Sequence, residues 1–385
     1  MPSRPAVPEA IRLRVYTRAA GRCTLCNRLV LENEDLGEPT LIGELAHNVG
    51  WSESSPRGES DLSDDERNRE ANYILVCRNC HKPIDTRGAE ERYTIEELQR
   101  RKREHETRIA FLTGIPTDRA AVIVRLAGQV RGKFPELSYE EVLRATTASG
   151  LYPMVMPGSW KAEVDIDLRN VPNEGSPEYY AAAISQMDAR LAELNDGLRR
   201  DVAGQIAVFA FARIPLLVHF GAQLDDKHRA ILFQRQRTDG PTAWQWPSNP
   251  GTPPTFEIER AYHSLTTSDT AVVVFNVSGT IQTSDIPAEL HNLTTYVVTP
   301  SEPTVPHPQL VDSPAALTNF EAAVRSLLAL VERDGKPQQL AILPALPITA
   351  AITLGRCLMP NVSPVLHLYD RGGDGRFCHA CEVRR

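Results

Sequence analysis

The sequence predicts two domains of different class. Residues 1–113 form a small α+β module closed by a four-cysteine cluster, and residues 114–385 form an α/β domain of two similar halves, roughly 114–250 and 251–385. Three observations carry this reading. Cys-x-x-Cys occurs twice in the first part, at Cys23-Cys26 and Cys77-Cys80. Beyond Gly114-Ile-Pro-Thr, apolar strand-like runs alternate with amphipathic helical stretches, the pattern of a mainly parallel sheet covered on both faces. Sliding the chain by 134 positions lays Gln205–Arg237 over Gln339–Arg371 without a gap.

Composition bounds the function classes. At 385 residues the chain can bury two or three cores. A formal net charge of −7 argues against a protein that coats nucleic acid everywhere, so any DNA contact must use a local basic surface. Seven clustered cysteines suit metal binding in a reducing compartment better than a disulfide framework. Residues 1–18 are charged every few positions, unlike a signal peptide, and no apolar run approaches the roughly 20 residues that span a bilayer. The expectation is a soluble cytoplasmic protein with no membrane contact.

In the first module, Ile11–Ala20 has helical spacing and Gly21 ends it before the first cysteine pair. Leu41–Val49 reads as a hairpin strand carrying Glu44 and His47. Ser54–Glu70 is polar and reads as an exposed loop. Asn72-Tyr-Ile-Leu-Val leads into Cys77-Arg-Asn-Cys80-His81-Lys-Pro-Ile-Asp85. Thr94–Phe111 reads as a long helix, capped by Thr94 with Glu97 three residues on. Two Cys-x-x-Cys turns supply the closed tetrahedral Cys₄ shell that structural Zn²⁺ prefers, from Cys23, Cys26, Cys77 and Cys80.

Glu44-Leu-Ala-His47, Asn72 ahead of Ile-Leu-Val-Cys, and Cys80-His81 followed by Ile84-Asp85 resemble the HNH endonucleases of the ββα-metal class. The resemblance covers about a quarter of the chain. It implies His47 as general base, His81 as a ligand of a catalytic Mg²⁺ (with Mn²⁺ or Ni²⁺ as substitutes), and Asn72 either holding the His47 loop or touching the metal. Many relatives carry Asp or His just before the base, where this chain has Ala46. On a strand Glu44 shares a face with position 46 and is assigned that duty. The chemistry suits these residue types: a neutral imidazole takes a proton from water near neutral pH, and a divalent cation stabilises charge on the leaving oxygen. Arg100, Arg101, Lys102 and Arg103 either grip DNA phosphates or form an ordinary charged face with the interleaved Glu96, Glu97, Glu104 and Glu106. His105 reads as a solvated helix residue.

In the second domain the expected strands are 121–130, 164–168, 206–211, 230–234, 271–277, 295–299, 340–343 and 364–369, and the long helices are Pro177–Arg199 and Pro314–Arg333. Identical pairs across the repeat include Ala207/Ala341, Ile214/Ile348, Gly221/Gly355, Leu224/Leu358, Leu232/Leu366 and Arg237/Arg371. Each copy reads as strand, turn, short apolar helix ending in Gly, loop, strand, Arg, which implies two fused Rossmann-like halves. Such a pair has a crevice at the carboxyl ends of its strands, where helices starting near Ile214 and Ile348 can face phosphates. Arg213 and Thr349 sit at that edge.

Leu346-Pro-Ile-Thr-Ala-Ala-Ile-Thr-Leu-Gly-Arg356 and Val365–Arg371 resemble the SAVED domain, a fused pair of CARF-like halves that sense cyclic oligonucleotides in bacterial anti-phage systems. HNH joined to SAVED resembles an effector nuclease of the CBASS systems. The combined resemblance implies cutting of double-stranded DNA, with little sequence specificity, activated by a cyclic di- or trinucleotide that drives dimer or tetramer formation. Arg371 joins the candidate ligand contacts. Tyr152, Trp160, Trp244, Trp246 and Tyr369 either stack on bases or pack in the core. Thr238–Pro254 reads as a lid or a subunit contact, and Asp370–Arg376 as a ligand wrap or a turn. Cys378-His-Ala-Cys381 either forms a second zinc knuckle or stays unligated. Two rivals remain: a restriction-type nuclease whose second domain recognises DNA or modified bases, and a non-enzymatic docking module.

Overall fold

The computed structural model describes residues 6–32, 41–86, 88–135, 137–154, 163–200, 205–224, 228–236, 242–264 and 268–385. It separates two compact units, Met1–Ile115 and Pro116–Arg385.

In the first unit, helix α1 (Glu9–Arg18) is followed by Gly21 at φ +62°, a left-handed turn that L side chains rarely adopt. Strand β1 (Gly43–His47) and the short helix α2 (Asp64–Arg67) come next. Strand β2 (Tyr73–Cys77) pairs antiparallel with β1, Gly43 opposite Cys77 and His47 opposite Tyr73. Helix α3 (Arg78–Ile84) follows at once, so hairpin and helix form a β-β-α unit. Helix α4 (Ile95–Thr113) is capped by Thr94, whose hydroxyl accepts from the Glu97 N–H at 3.2 Å. Val15, Val30, Ile74, Leu75, Ile84 and Leu98 share one core.

The stretch expected as an exposed loop, 54–70, is only partly so. It holds α2, started by a Ser63/Glu66 capping box, and drives two arginines inward. The Arg67 guanidinium donates to the carbonyls of Gly50, Gly58 and Ser60. Polar composition hid this, because the buried groups are backbone carbonyls that only a guanidinium's several donors can satisfy together.

The second unit begins with β3 (Ala120–Ala127), α5 (Tyr139–Ala148), β4 (Tyr152–Pro153), β5 (Glu163–Asp167) and α6 (Pro177–Arg200). The first repeat copy follows as β6 (Gln205–Phe211), α7 (Ile214–Gln223) and β7 (Arg229–Phe233). Then come β8 (Phe256–Tyr262), β9 (Thr270–Asn276), β10 (Thr295–Pro300) and α8 (Pro314–Arg333). The second copy is β11 (Gln339–Ala345), α9 (Ile348–Arg356) and β12 (Val365–Arg371), closed by β13 (Phe377–Val383).

The two sheets share one plan. The first runs β5-β3-β6-β7 in parallel, with β4 also on the free side of β3. The second runs β10-β9-β11-β12 in parallel, with antiparallel edge strands β8 and β13 outside. The likeness therefore extends beyond the stretch visible in sequence to β3/β9 and β5/β10. Helices α7 and α9 pack against each other between the sheets. A Cβ on Gly221 would lie 2.0 Å from the Ile352 carbonyl oxygen, and one on Gly355 2.0 Å from that of Val218. Val218 and Ile352 are themselves equivalent in the repeat, so the crossing is a local two-fold that only glycine permits. One apolar core runs through it, joining Val208, Leu216, Val218 and Phe220 to Ile342, Ile352, Leu354 and Leu366.

Candidate functional site

In the first unit, the Arg22–Leu29 bridge folds Cys23 and Cys26 into a tight turn, and the Thr24 N–H donates to the Leu75 carbonyl at 2.8 Å, tying that turn to β2. Cys77 caps α3 and Cys80 lies in its first turn. The ligand atoms of Cys23, Cys26, Cys77 and Cys80 all lie within 4.8 Å of one another, and Cys26 Sγ is 3.7 Å from Cys77 Sγ. Tetrahedral zinc with Zn–S bonds of ~2.3 Å sets its sulfurs ~3.8 Å apart, so this donor set fits that ion. Burial pushes the Cys23 and Cys80 thiols up, which is unfavourable for thiolates unless a cation offsets it.

Beside this cluster, β1 and α3 bring Glu44 to His81. Glu44 Oε2 is 2.6 Å from His81 Nδ1, and Asp85 Oδ2 is 3.0 Å from His81 Nε2. Asp85, then Glu44, hold the imidazole above its ordinary pKa against the effect of burial. Burial pushes Asp85 up, but His81 and Arg57 outweigh it and hold the carboxyl below its usual value. The Arg57 side chain, 3% exposed, donates to the carbonyls of Asn48 (3.0 Å) and Ile84 (2.5 Å) and to Asp85 Oδ1 (3.2 Å). Asp85 orients the His81 ring from its far nitrogen, and a divalent cation between Glu44 Oε2 and His81 Nδ1 would have to displace the Nδ1 proton that now joins them.

His47, buried at the end of β1, lies with its ring 4.6 Å from Tyr73 and 6.2 Å from Trp51. Of the two roles open to Asn72, the structure corresponds to the loop-holding one, and metal contact is corrected. Its Oδ1 accepts from the Val49 N–H at 2.8 Å, and its amide donates to the carbonyls of Val49 (3.0 Å) and Arg67 (2.9 Å). Both amide hydrogens and one lone pair of Oδ1 are thereby committed to backbone partners.

On the basic helix, Lys102 as a phosphate contact is corrected. Lys102 is buried and paired with Glu106, because its stem packs into the unit's interior. Arg100 pairs with Glu97 and Glu104, and Arg101 with Glu97. Arg103 is exposed. His105 is buried, not solvated, with Nε2 3.2 Å from the Ala19 carbonyl.

In the second unit a crevice of about 490 Å³ opens where the strands of both halves end. Arg131 follows β3, Arg213 lies between β6 and α7, Arg235 follows β7, Ser278 follows β9, Pro347 precedes α9, and Arg371 ends β12; all six line it. Helices α7 and α9 start there, at Arg213 and Pro347, neither of which caps its helix through its own side chain, although Gln234 Oε1 accepts the Thr349 N–H in the first turn of α9. A crevice of this size, with no side-chain cap on the start of α7 and four arginines in its lining, two of them partnered by Glu174, Asp370 and Asp285, suits an anionic, nucleotide-sized ligand.

Arg213 faces this crevice already paired, to Glu174 Oε1 and Asp370 Oδ2, each at 2.8 Å. Arg371 reaches Asp285 at 2.8 Å and lies over the Phe377 ring. Thr349 is corrected: it is fully buried, and its N–H and hydroxyl meet Gln234 Oε1 at 3.2 and 2.9 Å. The aromatic candidates divide likewise. Trp244 is core, edge-on to Phe209, and Tyr369 is buried with Phe377. Trp246 lines a different cavity, at the amino end of β7, and Tyr152 donates to the Thr117 carbonyl. Trp160, Arg237 and residues 238–241 of the expected lid lie outside the described residues. Asp370 and Arg371 belong to β12, and Gly372–Arg376 turns into β13. A second zinc knuckle is not formed. Cys378 is exposed and Cys381 buried on one strand, and the four-cysteine cluster is the only metal-ready group of three or more such residues among those described. Arg57, Glu174 and Gln234 left no signal in the sequence, and Asp85, which stands in the Cys-His-x-x-Ile-Asp stretch, was given no role there.

The family model of the SMODS-associated and fused to various effectors sensor domain, SAVED, matches residues 188–383. Among solved structures, the Acinetobacter baumannii Cap4 SAVED/CARF-domain containing receptor with the cyclic trinucleotide 3′3′3′-cAAA is similar over 62% of this chain and 53% of that chain, at 15% identity and a TM-score of 0.45. The same receptor with 2′3′3′-cAAA is similar over 77% and 56%, at 13% and 0.45. The Moraxella osloensis Cap4 receptor is similar over 68% and 49%, at 13% and 0.40. The chain thus spans about half the length of these receptors. No curated protein matches it. No helix among the described residues is long and apolar enough to cross a membrane.

Proposed function

The chain belongs to the SAVED family of sensor domains, and on that premise we propose that it is a cyclic-oligonucleotide-gated DNA endonuclease of anti-phage defence. The observation that carries the reading is the joining, in one chain, of the two-half crevice to a β-β-α unit framed by four sulfurs and bearing His47, Glu44 and His81. The ligand is a cyclic di- or trinucleotide whose phosphates meet the crevice arginines and the starts of α7 and α9.

In the proposed nuclease unit, Cys23, Cys26, Cys77 and Cys80 hold a structural zinc that fixes the hairpin against α3. His47 takes the proton from the attacking water. Asn72 holds the backbone after His47, and Asp85, anchored by Arg57, orients His81. A magnesium ion held by Glu44 and His81 supplies, when bound, charge stabilisation at the leaving 3′ oxygen. Arg100, Arg101 and Arg103 meet phosphates of double-stranded DNA, the first two by exchanging glutamate partners, and no base is read. Ligand binding drives a dimer or tetramer, which places two nuclease units on opposite strands.

The test is cleavage of a plain plasmid with Mg²⁺, with and without a panel of cyclic di- and trinucleotides, for the natural chain and His47→Ala. Cutting triggered by one nucleotide and lost in His47→Ala is the expected result. Cutting indifferent to every nucleotide hands the second unit to a restriction-type role. A biological effect that survives His47→Ala hands the first unit to partner docking.

A further inference from the structure

The crevice contains a feature that simple phosphate binding does not require. Arg213 caps α7 in the first half, yet its guanidinium bonds a carboxylate from each half: Glu174 from the first, Asp370 from the second, plus the Arg371 carbonyl at 3.3 Å. Asp370 is held in turn by the Tyr180 hydroxyl at 2.6 Å, from α6. Glu174 accepts the N–H groups of Arg131 and Gly132 at 2.6 and 2.7 Å, which ties in the loop after β3. Gly175, next in the chain, turns at φ +87°, a left-handed conformation that favours glycine. The hydroxyl of Tyr179 beside this network is buried and has no hydrogen-bond partner, so one donor stands idle in this arrangement. Position 347, equivalent to 213 in the repeat, is Pro, so the device exists once and not twice.

We propose that Arg213, Glu174 and Asp370 form a latch between the two halves that an anionic ligand opens. The proposal rests on the anion-binding reading of the crevice and adds its regulation. A phosphate entering the crevice takes the Nη1 side of Arg213 in place of Asp370, while Glu174 keeps Nε. Asp370 retains the Tyr180 hydroxyl, so the displaced carboxylate is not left bare. The Arg213–Asp370 bond between the halves is thereby exchanged for one through the ligand, while the Tyr180–Asp370 bond still joins them. Ligand and Asp370 compete for one guanidinium, so affinity is set by how tightly Asp370 is held as well as by what the ligand offers.

Competition predicts opposite effects from two near-isosteric changes. Asp370→Asn keeps the shape but removes the competing charge, and should tighten binding about tenfold, the change that ~1.4 kcal/mol produces. Tyr180→Phe frees Asp370 to grip Arg213 harder and should weaken binding severalfold. Arg213→Gln should weaken binding in both backgrounds. The measurement is equilibrium binding to the full chain of a cyclic-nucleotide panel and of inorganic pyrophosphate, with melting temperatures confirming that each variant folds. Opposite signs for Asp370→Asn and Tyr180→Phe support the latch, including when only pyrophosphate binds, in which case the cyclic-nucleotide reading fails and the latch stands. Weaker or unchanged binding in Asp370→Asn, with Arg213→Gln still impaired, overturns the latch and leaves the crevice reading intact. No binding of any probe to any variant overturns both.

Discussion

Replacing Gly221 or Gly355 by alanine tests the joining of the two halves most directly. The added Cβ would stand 2.0 Å from a carbonyl oxygen of the facing helix, and ordinary contact begins near 3.4 Å, so α7 and α9 must part by about 1.4 Å (3.4 − 2.0). Both clashing groups are attached to backbone, so no rotamer change relieves the clash. Overpacking of this kind costs ~1–3 kcal/mol and occasionally more, and the rigid partners place this case at or above the top of that range. Alanine returns ~1 kcal/mol of helix propensity. The net cost of ~2–3 kcal/mol corresponds to roughly 30- to 150-fold more frequent opening of the crossing. Hydrogen exchange resolved by mass spectrometry, read on peptides from α7 and α9 in the full chain, measures this directly. Gly355→Ala should cost at least as much as Gly221→Ala, because each meets the equivalent carbonyl of the other copy and the Gly355 Cβ would also lie 2.6 Å from the Ala222 nitrogen. The double variant should cost less than their sum, because the first alanine already opens the gap for the second. Gly279→Ala, where nothing lies within 4 Å, should be silent. Exchange in Gly221→Ala matching that of Gly279→Ala, or strict additivity of the pair, would refute a shared glycine crossing.

Asn72→Ala strips the partners from the Val49 N–H and from the Val49 and Arg67 carbonyls, and should destabilise the first unit by ~2–4 kcal/mol in urea titrations. Cys77→Ser should abolish zinc binding and melt the first unit, whereas His47→Ala should keep zinc at the natural stoichiometry; equal zinc loss in both, assayed by metal content, defeats the separation of roles. Burial pushes Glu174 up, but the Gly132 and Arg131 N–H groups and Arg213 outweigh it and hold its pKa below the ordinary 4.5. The stability it contributes is therefore complete above that value and lost as pH falls through the lowered pKa, so Glu174→Gln should flatten the acid limb of a stability-versus-pH curve.

The parallel core was legible because each half announces it locally. Ile206–Phe211 and Leu340–Leu343 are apolar runs flanked by turns, and the identical spacing of Gly221 and Gly355 already marked a duplicated helix. What escaped were edges and minor pieces. Phe256–Tyr262 carries Glu257, Glu259 and Arg260 on a largely exposed edge strand, so its apolar content is too thin to stand out. Phe377–Val383 hid behind cysteine and histidine, which looked like a metal knuckle, whereas an antiparallel strand sends its side chains alternately outward and inward. The equivalence of β3 with β9 and of β5 with β10 lies in topology alone, since those strands share no readable motif.

Site residues were legible where chemistry fixes spacing and not where packing fixes it. Two Cys-x-x-Cys pairs can announce a four-sulfur cluster because each pair closes on itself, and strand alternation alone singled out Glu44, which the fold brings to His81. Thr349 shows the opposite case. A hydroxyl at a helix start looks like a phosphate contact, but only the fold reveals that Gln234, distant in sequence, already holds it. Lys102 and His105 fail for the same reason: their helix is charged all round, so composition cannot say which face turns inward. Arg213 is the sharpest instance. Sequence places it correctly at the mouth of the crevice, yet its partners come from positions 174 and 370. Whether a guanidinium at such a mouth waits open for a phosphate or must first release a carboxylate depends on contacts between segments that no local motif records.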